Sequence, residues 1–159
     1  MPRFNDVRNV PFSSDEMFAL VADVEKYPLF VPLCESLVVH SREQLADGSG
    51  LITATMGIGY KAIRETFTTA VTLDRAARAI VVRHKNGPFR KLENVWGFTP
   101  RGDTACDVAF AIDYEFSSPM LAVLMGAVFD TAFRKFAAAF ETRAEEVYGR
   151  RSPVSTSVT

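Results

Sequence analysis

Thr104-Ala105-Cys106-Asp107-Val108-Ala109-Phe110-Ala111-Ile112-Asp113-Tyr114-Glu115-Phe116 is the stretch that decides the fold. Cys106, Val108, Phe110, Ile112, Tyr114 and Phe116 share one parity, while Asp107, Asp113 and Glu115 take the other. That is the period of a strand with one buried and one wet face. Ser118-Pro119 then changes the period: Ser118 suits the N-cap and Pro119 the first helical position. The helical pattern runs on to Tyr148, about eight turns. On its wheel Leu121, Met125, Phe129, Ala132, Phe133, Phe136, Phe140 and Val147 share one side, with Asp130, Arg134, Glu141 and Glu145 opposite.

Upstream, strands are predicted over Leu37–Leu45, Leu51–Tyr60, Ala62–Leu73, Ala79–Lys85 and Lys91–Thr99. Turn signals separate them at Asp47-Gly48-Ser49-Gly50, from Asp74 to Arg78, at Asn86-Gly87-Pro88 and at Pro100-Arg101-Gly102-Asp103. Short turns make consecutive strands antiparallel neighbours. At the front, Arg3 to Phe12 reads as a short strand. Ser13 with Glu16 forms a capping box for a helix carrying Met17, Phe18, Leu20, Val21 and Val24. That helix is expected to stop before Tyr27-Pro28, because a residue before proline leaves helical geometry. Only a short turn fits between Tyr27 and Leu33, since Pro32 interrupts again. The expectation is an α+β domain over residues 1–149, a curved antiparallel sheet of six or seven strands around one long C-terminal helix, with two short helices after the first strand. The polar tail, residues 150–159, is expected to be disordered.

The 159 residues suffice for one core, and 48% hydrophobic with 23% charged residues excludes a disordered chain. A net charge of −1 and thirteen Phe point away from DNA and toward a large apolar lining. Two isolated cysteines, Cys34 and Cys106, without an apolar leader, suggest reduced thiols and a cytoplasmic location. The longest apolar run, Pro119 to Phe129, falls far short of the ~20 residues of a membrane span.

The two histidines, His40 and His84, lie in no metal-ligand spacing, and no nucleophile elbow or phosphate loop is present. No metal and no catalytic cofactor are expected. Cys34 with His40 reads better as a buried thiol and a surface imidazole than as a nucleophile pair. Strand parity turns Phe67, Val71, Ile80, Val82, Leu92, Asn94, Trp96, Phe110, Ile112 and Tyr114 toward the helix. With Leu121, Met125, Phe129, Phe133 and Phe136 they form the candidate ligand-binding set, an apolar cavity for a hydrophobic small molecule. Glu65 and His84 share that parity, and with Asn94 they are the candidate polar contacts or else strand-end residues reaching water. An enzyme would have to draw its acid or base from Glu65, His84, Tyr114 or Asp113. Tyr27, Pro28, Phe30 and Pro32, together with Met120 and Val123 on the first turns of the helix, are the candidate cavity mouth and a surface for peripheral membrane contact. Arg83 to Lys91 is a basic hairpin suited to anionic headgroups or RNA phosphates, or simply solvated.

Val21-Ala22-Asp23-Val24-Glu25-Lys26-Tyr27-Pro28-Leu29-Phe30-Val31-Pro32-Leu33-Cys34 closely resembles the V-x-D-V-x-x-Y-P-x-F-x-P-x-C signature of the coenzyme Q-binding proteins in the START/polyketide-cyclase-like superfamily. Gly87-Pro88-Phe89 with Leu92 to Phe98, Ile112 to Phe116 with Ser118 to Leu121, and Ala139 to Ala144 resemble its later blocks, so the likeness spans about residues 2 to 149. The resemblance implies the helix-grip fold. It also implies bound ubiquinone in support of respiratory electron transport, or binding to the large ribosomal subunit as in the family's toxins, with polyketide-cyclase chemistry as the remaining alternative. The motifs do not separate the first two.

Overall fold

The computed structural model describes residues 3–151. Seven strands run β1 (Arg3–Val10), β2 (Cys34–Gln44), β3 (Gly50–Tyr60), β4 (Ile63–Asp74), β5 (Ala79–Asn86), β6 (Phe89–Pro100) and β7 (Cys106–Phe116). They form one antiparallel sheet in the order β1-β7-β6-β5-β4-β3-β2. Thus β2 to β7 make a meander, and β1 returns to the far edge beside β7. Between β1 and β2 lie helix α1 (Ser14–Ala22) and a 3₁₀ turn (Val24–Leu29). The capping box closes α1 as expected: Ser13 Oγ accepts from Glu16 N–H (3.1 Å) and Glu16 accepts from Ser13 N–H (2.9 Å). However, α1 ends earlier than the proline rule requires, because Asp23 leaves helical geometry at φ −84° and ψ 68°. The 3₁₀ turn that follows carries Pro28 inside it.

The C-terminal helix is two segments, α2 (Pro119–Arg134) and α3 (Phe136–Tyr148), joined at Lys135. This corrects the expectation of one continuous helix. Lys135 keeps right-handed helical angles, but its N–H bonds Ala132 O (3.0 Å), a tightened i→i−3 link. In such a turn residues three apart lie in line, which keeps Phe133 and Phe136 together on the sheet side. Val147, expected on the buried face, is exposed.

The helix sits on the β6–β7 half of the sheet through paired rings. Phe140 meets Trp96 (4.9 Å between centroids), Phe136 meets Phe110 (5.9 Å), Phe133 meets Tyr114 (5.0 Å) and Phe129 meets Phe116 (5.3 Å). Beyond buried area, each such pair adds about 0.5–1.5 kcal/mol. Polar ties fix the ends: Arg8 pairs with Glu141 (2.8 Å), and Tyr148 Oη donates to Glu16 O (3.0 Å).

Arg151, placed by its sequence in the polar tail, docks on Glu16 through two bonds of 2.6 and 2.9 Å. Residues 152–159 of that tail lie outside the described residues. Glu16 therefore joins α1 to the end of the chain. Its carboxyl is held below the usual range, chiefly by the Arg151 hydrogen bonds. A depressed acid pKa stabilises the fold fully above the unfolded value, about 4.3, and that stability is lost as pH falls through the lower folded value. Glu16→Gln keeps the cap's shape and removes the charge. We expect it to lower unfolding free energy by roughly 1 kcal/mol at neutral pH, a value discounted for solvent screening. Urea titrations should show the deficit vanish at a pH below both pKa values. A deficit of equal size at that pH would mean the ion pair contributes nothing.

Candidate ligand-binding cavity

Because the ring pairs seat the helix on β6 and β7, the β2–β5 part of the concave face is left partly uncovered. A cavity of about 80 Å³ lies there, between the sheet and the α2–α3 junction. Its floor carries Ala54, Met56 and Ile58 from β3, Phe67, Thr69 and Val71 from β4, Val82 from β5, Leu92, Asn94 and Trp96 from β6 and Ile112 from β7. Phe129, Ala132, Phe133, Phe136 and Phe140 form the helical wall. Val24, Tyr27, Pro32, Leu33 and Leu37 close the remaining side.

The closing segment is tightly held. Tyr27 Oη donates to Val21 O, and the Tyr27 and Phe30 rings both stand edge-on against Phe140 at 5.3 and 4.9 Å. Leu33 adopts φ +69°, a left-handed conformation costly for a branched side chain. Its carbonyl accepts from Gly59 N–H (3.0 Å), so the strained residue is tied to β3. On the opposite rim Gly87 has φ +142°, and a Cβ there would stand 2.5 Å from Phe67 Cβ. Glycine lets the β5–β6 turn lie against that wall residue.

Three polar groups face an otherwise apolar space. Asn94, 8% exposed, donates from Nδ2 to Ala111 O (2.9 Å) and accepts from Trp96 Nε1–H (2.9 Å). An indole only donates, so the amide's orientation is fixed, with one N–H and one lone pair unused. Thr69, also 8% exposed, lies on the floor, and its hydroxyl joins no side-chain hydrogen bond among the described residues. The third is Tyr27, whose phenol burial pushes well above its ordinary pKa. Among the described residues, no other titratable side chain lines the cavity.

Of the residues selected by parity, Phe67, Val71, Val82, Leu92, Asn94, Trp96, Ile112, Phe129, Phe133 and Phe136 are on the wall. Ile80, Phe110 and Tyr114 face inward as expected but pack in the core away from this cavity, Tyr114 reaching the far side of the helix, and Met125 contacts a smaller void beside Leu33. Leu121 is only partly buried, on the rim of the core. Thr69 follows the parity used for Phe67 and Val71 and was legible; Ala54, Met56 and Ile58 of β3 and Leu37 of β2 were missed because no inward face was assigned to those strands, and Leu33 belongs to a segment without period. Glu65 and His84 do not reach the wall. His84 packs edge-on to Phe89 (5.8 Å), Nε2 is buried without a partner, and burial holds the imidazole below its ordinary pKa. Asp113 is on the outer face, bonded to Lys91 (2.8 Å) and Arg3 (3.2 Å). Cys34 and His40 do not meet: the thiol, pushed up to about 11 by burial, lies 3.5 Å from Ser36 O, while His40 bonds Thr55 (2.7 Å).

Of the candidate mouth, Tyr27 and Pro32 touch the cavity. Phe30 is packed on Phe140 with Arg143 over its ring (5.4 Å), whereas Met120 and Val123 are exposed on α2. Three of the hairpin's four Arg and Lys side chains are ion-paired, Arg83 with Glu93, Arg90 with Glu115 and Lys91 with Asp113, while Lys85 is exposed.

The chain is 34% identical over 151 residues to the ribosome association toxin RatA of Escherichia coli, covering 95% of this chain and 92% of that one. It is 29% identical over 152 residues to the mitochondrial coenzyme Q-binding protein COQ10 homolog B of Xenopus laevis, covering 93% and 60%. Among solved structures, the 18 kDa protein CC1736 of Caulobacter crescentus matches with TM-score 0.74 at 35% identity, over 94% of this chain and 100% of that one. The Zhui aromatase/cyclase of a Streptomyces species shares the fold at TM-score 0.76 and 18% identity, over 91% and 94%. A seven-stranded helix-grip sheet, these relatives and a family model matching residues 10–141 agree: the chain belongs to the polyketide cyclase / dehydrase and lipid transport family.

Proposed function

We propose that this chain binds the ring of a quinone, ubiquinone in the first instance, and carries it in support of respiratory electron transport without transforming it. The composition of the cavity wall carries this reading. It is almost wholly aromatic and aliphatic, its hydrogen-bonding groups are a hydroxyl, an amide and a phenol, and among the described residues it presents no carboxylate, imidazole or thiol for acid–base work. At roughly 10–15 Å³ for a water-sized site, the enclosed space suits about one small ring. A longer tail has to leave the cavity.

Trp96 lines the cavity and is fully buried, so it reports occupancy. A short-chain ubiquinone should quench its fluorescence saturably. Ala54→Leu fills the space from the floor; affinity should drop at least tenfold while the melting temperature holds or rises, as cavity-filling changes often stabilise. Equal quenching of both proteins would indicate collisional contact and no site.

A ligand of this kind partitions into bilayers, and α2 offers a surface for peripheral contact with one. Pro119 to Phe129 carries no charge, and Met120, Val123 and Leu124 are 71%, 83% and 57% exposed. The helix N-terminus is positive and has no acidic residue in its first turn. Tyr60 of the neighbouring β3–β4 turn, beside Lys61, shares a small void with Met125 and Val128 of α2, bringing a cation close to this face. Among the described residues no helix is long and apolar enough to cross a membrane. Val123→Ser with Leu124→Ser should reduce co-sedimentation with anionic liposomes about tenfold and leave unfolding free energy within about 0.5 kcal/mol, as for surface positions. A large loss of stability would show this face to be core.

The likeness to the RatA toxin favours ribosome contact as a second reading. On the hairpin, Arg83, Arg90 and Lys91 are each matched by a carboxylate, which leaves Lys85 as its exposed cation for such contact. Co-sedimentation with purified large subunits distinguishes the two.

A further inference from the structure

A second hollow lies on the other side of the aromatic layer. It is a cleft of about 390 Å³ between α2 and the distal end of β7, close to the size of many small-molecule sites. Tyr114 and Phe116 form its base, and Pro119, Ala122 and Gly126 its apolar helical side. Tyr114 is 1% exposed, with its ring packed on Phe133 and Phe116. Its hydroxyl makes no hydrogen bond to the protein among the described residues and is absent from the fully enclosed orphan atoms, so it opens into this cleft. A hydroxyl in so buried a residue needs a partner, and the cleft is where one fits.

The rim charges come in pairs. Arg90 is matched by Glu115 (3.2 Å) and Asp130 by Arg134 (2.9 Å). Among the described residues, each charge on the cleft's rim has an opposite partner. At Gly126 a Cβ would meet nothing within 4 Å, so the helical side is open as well as apolar. We propose that this cleft is a second small-molecule site, taking a neutral apolar molecule whose carbonyl oxygen accepts from the Tyr114 hydroxyl while its body rests on Phe116, Ala122 and Gly126. The site stands apart from the cavity and is defined without reference to the cavity's ligand. The rings of Tyr114 and Phe116 on the cleft side pack against Phe133 and Phe129 of the cavity wall.

The test is calorimetric titration with duroquinone, a neutral dicarbonyl ring whose substituted positions resist addition by thiols. The wild type should bind two equivalents. Gly126→Leu, which plugs the cleft and replaces glycine with a better helix former, should bind one. Tyr114→Phe keeps the packed ring and should weaken one class of site about tenfold, leaving the other unchanged. Ala54→Leu should remove the class that Gly126→Leu retains. A single equivalent lost in Ala54→Leu and intact in Gly126→Leu would overturn the cleft and leave the cavity reading standing. A single equivalent with the opposite behaviour would support the cleft and overturn the cavity reading. No binding by the wild type would overturn both.

Discussion

Four ring-on-ring contacts, Phe140 on Trp96, Phe136 on Phe110, Phe133 on Tyr114 and Phe129 on Phe116, determine where the C-terminal helix can lie. The helical partners are spaced four, three and four residues apart, and the strand partners alternate along β7 with Trp96 beside them on β6. Aromatic rings are rigid and large, so this row fixes both the height of the helix above the sheet and its lateral position. The tightened turn at Lys135 follows from it, because Phe133 and Phe136 must both point down while only three residues apart. The cavity follows too. A helix held over β6 and β7 cannot also fill the concave face of β2 to β5, and close-packed interiors leave such a gap only where large neighbours prevent collapse.

That gap is closed by the least regular part of the chain. The 3₁₀ turn from Val24 to Leu29 and the residues up to Leu37 fold over it, held at Phe140 by two rings and at β3 by the Leu33 carbonyl. Leu33 is strained, and strain in a covering segment is retained only where its surroundings demand it. The same Phe140 serves the helix seat and the cover, so packing of the cover and position of the helix are coupled through one side chain. Movement of the cover alone would expose Phe140 without dislodging the lower three ring pairs.

The sheet, its strand boundaries and the inward face were legible because a two-residue period is a strong signal, and Ser13 with Glu16 announced α1 by its chemistry. Parity identifies a face but says nothing of which part of that face the helix covers. For that reason Ile80, Phe110 and Tyr114 were correctly turned inward yet belong to packed core, while Thr69 and Ala54, on strands the helix leaves bare, line the cavity. The pairing of the hairpin's cations was invisible for a related reason. Glu93, Asp113 and Glu115 lie 10 to 25 residues from Arg83, Lys91 and Arg90 and meet them through strand pairing. Leu33 carried no periodic signal, since it lies between the 3₁₀ turn and β2, where no regular structure imposes one.

Relatives named as a toxin, a coenzyme Q-binding protein and an aromatase/cyclase share this frame, so the frame cannot decide the chemistry. What varies is the small set of groups facing the space the helix leaves open. In this chain Asn94 is bound from two sides, by a carbonyl that only accepts and an indole that only donates, which removes its freedom to reorient. Thr69 keeps a rotatable hydroxyl, able to give or take a hydrogen bond. With the Tyr27 phenol, one fixed amide and one adaptable hydroxyl are the polar features that an occupant of this aromatic box meets. Asp113 and Tyr114 lie off the cavity wall, the first ion-paired on the outer face and the second with its ring packed on Phe133, so neither belongs to that set.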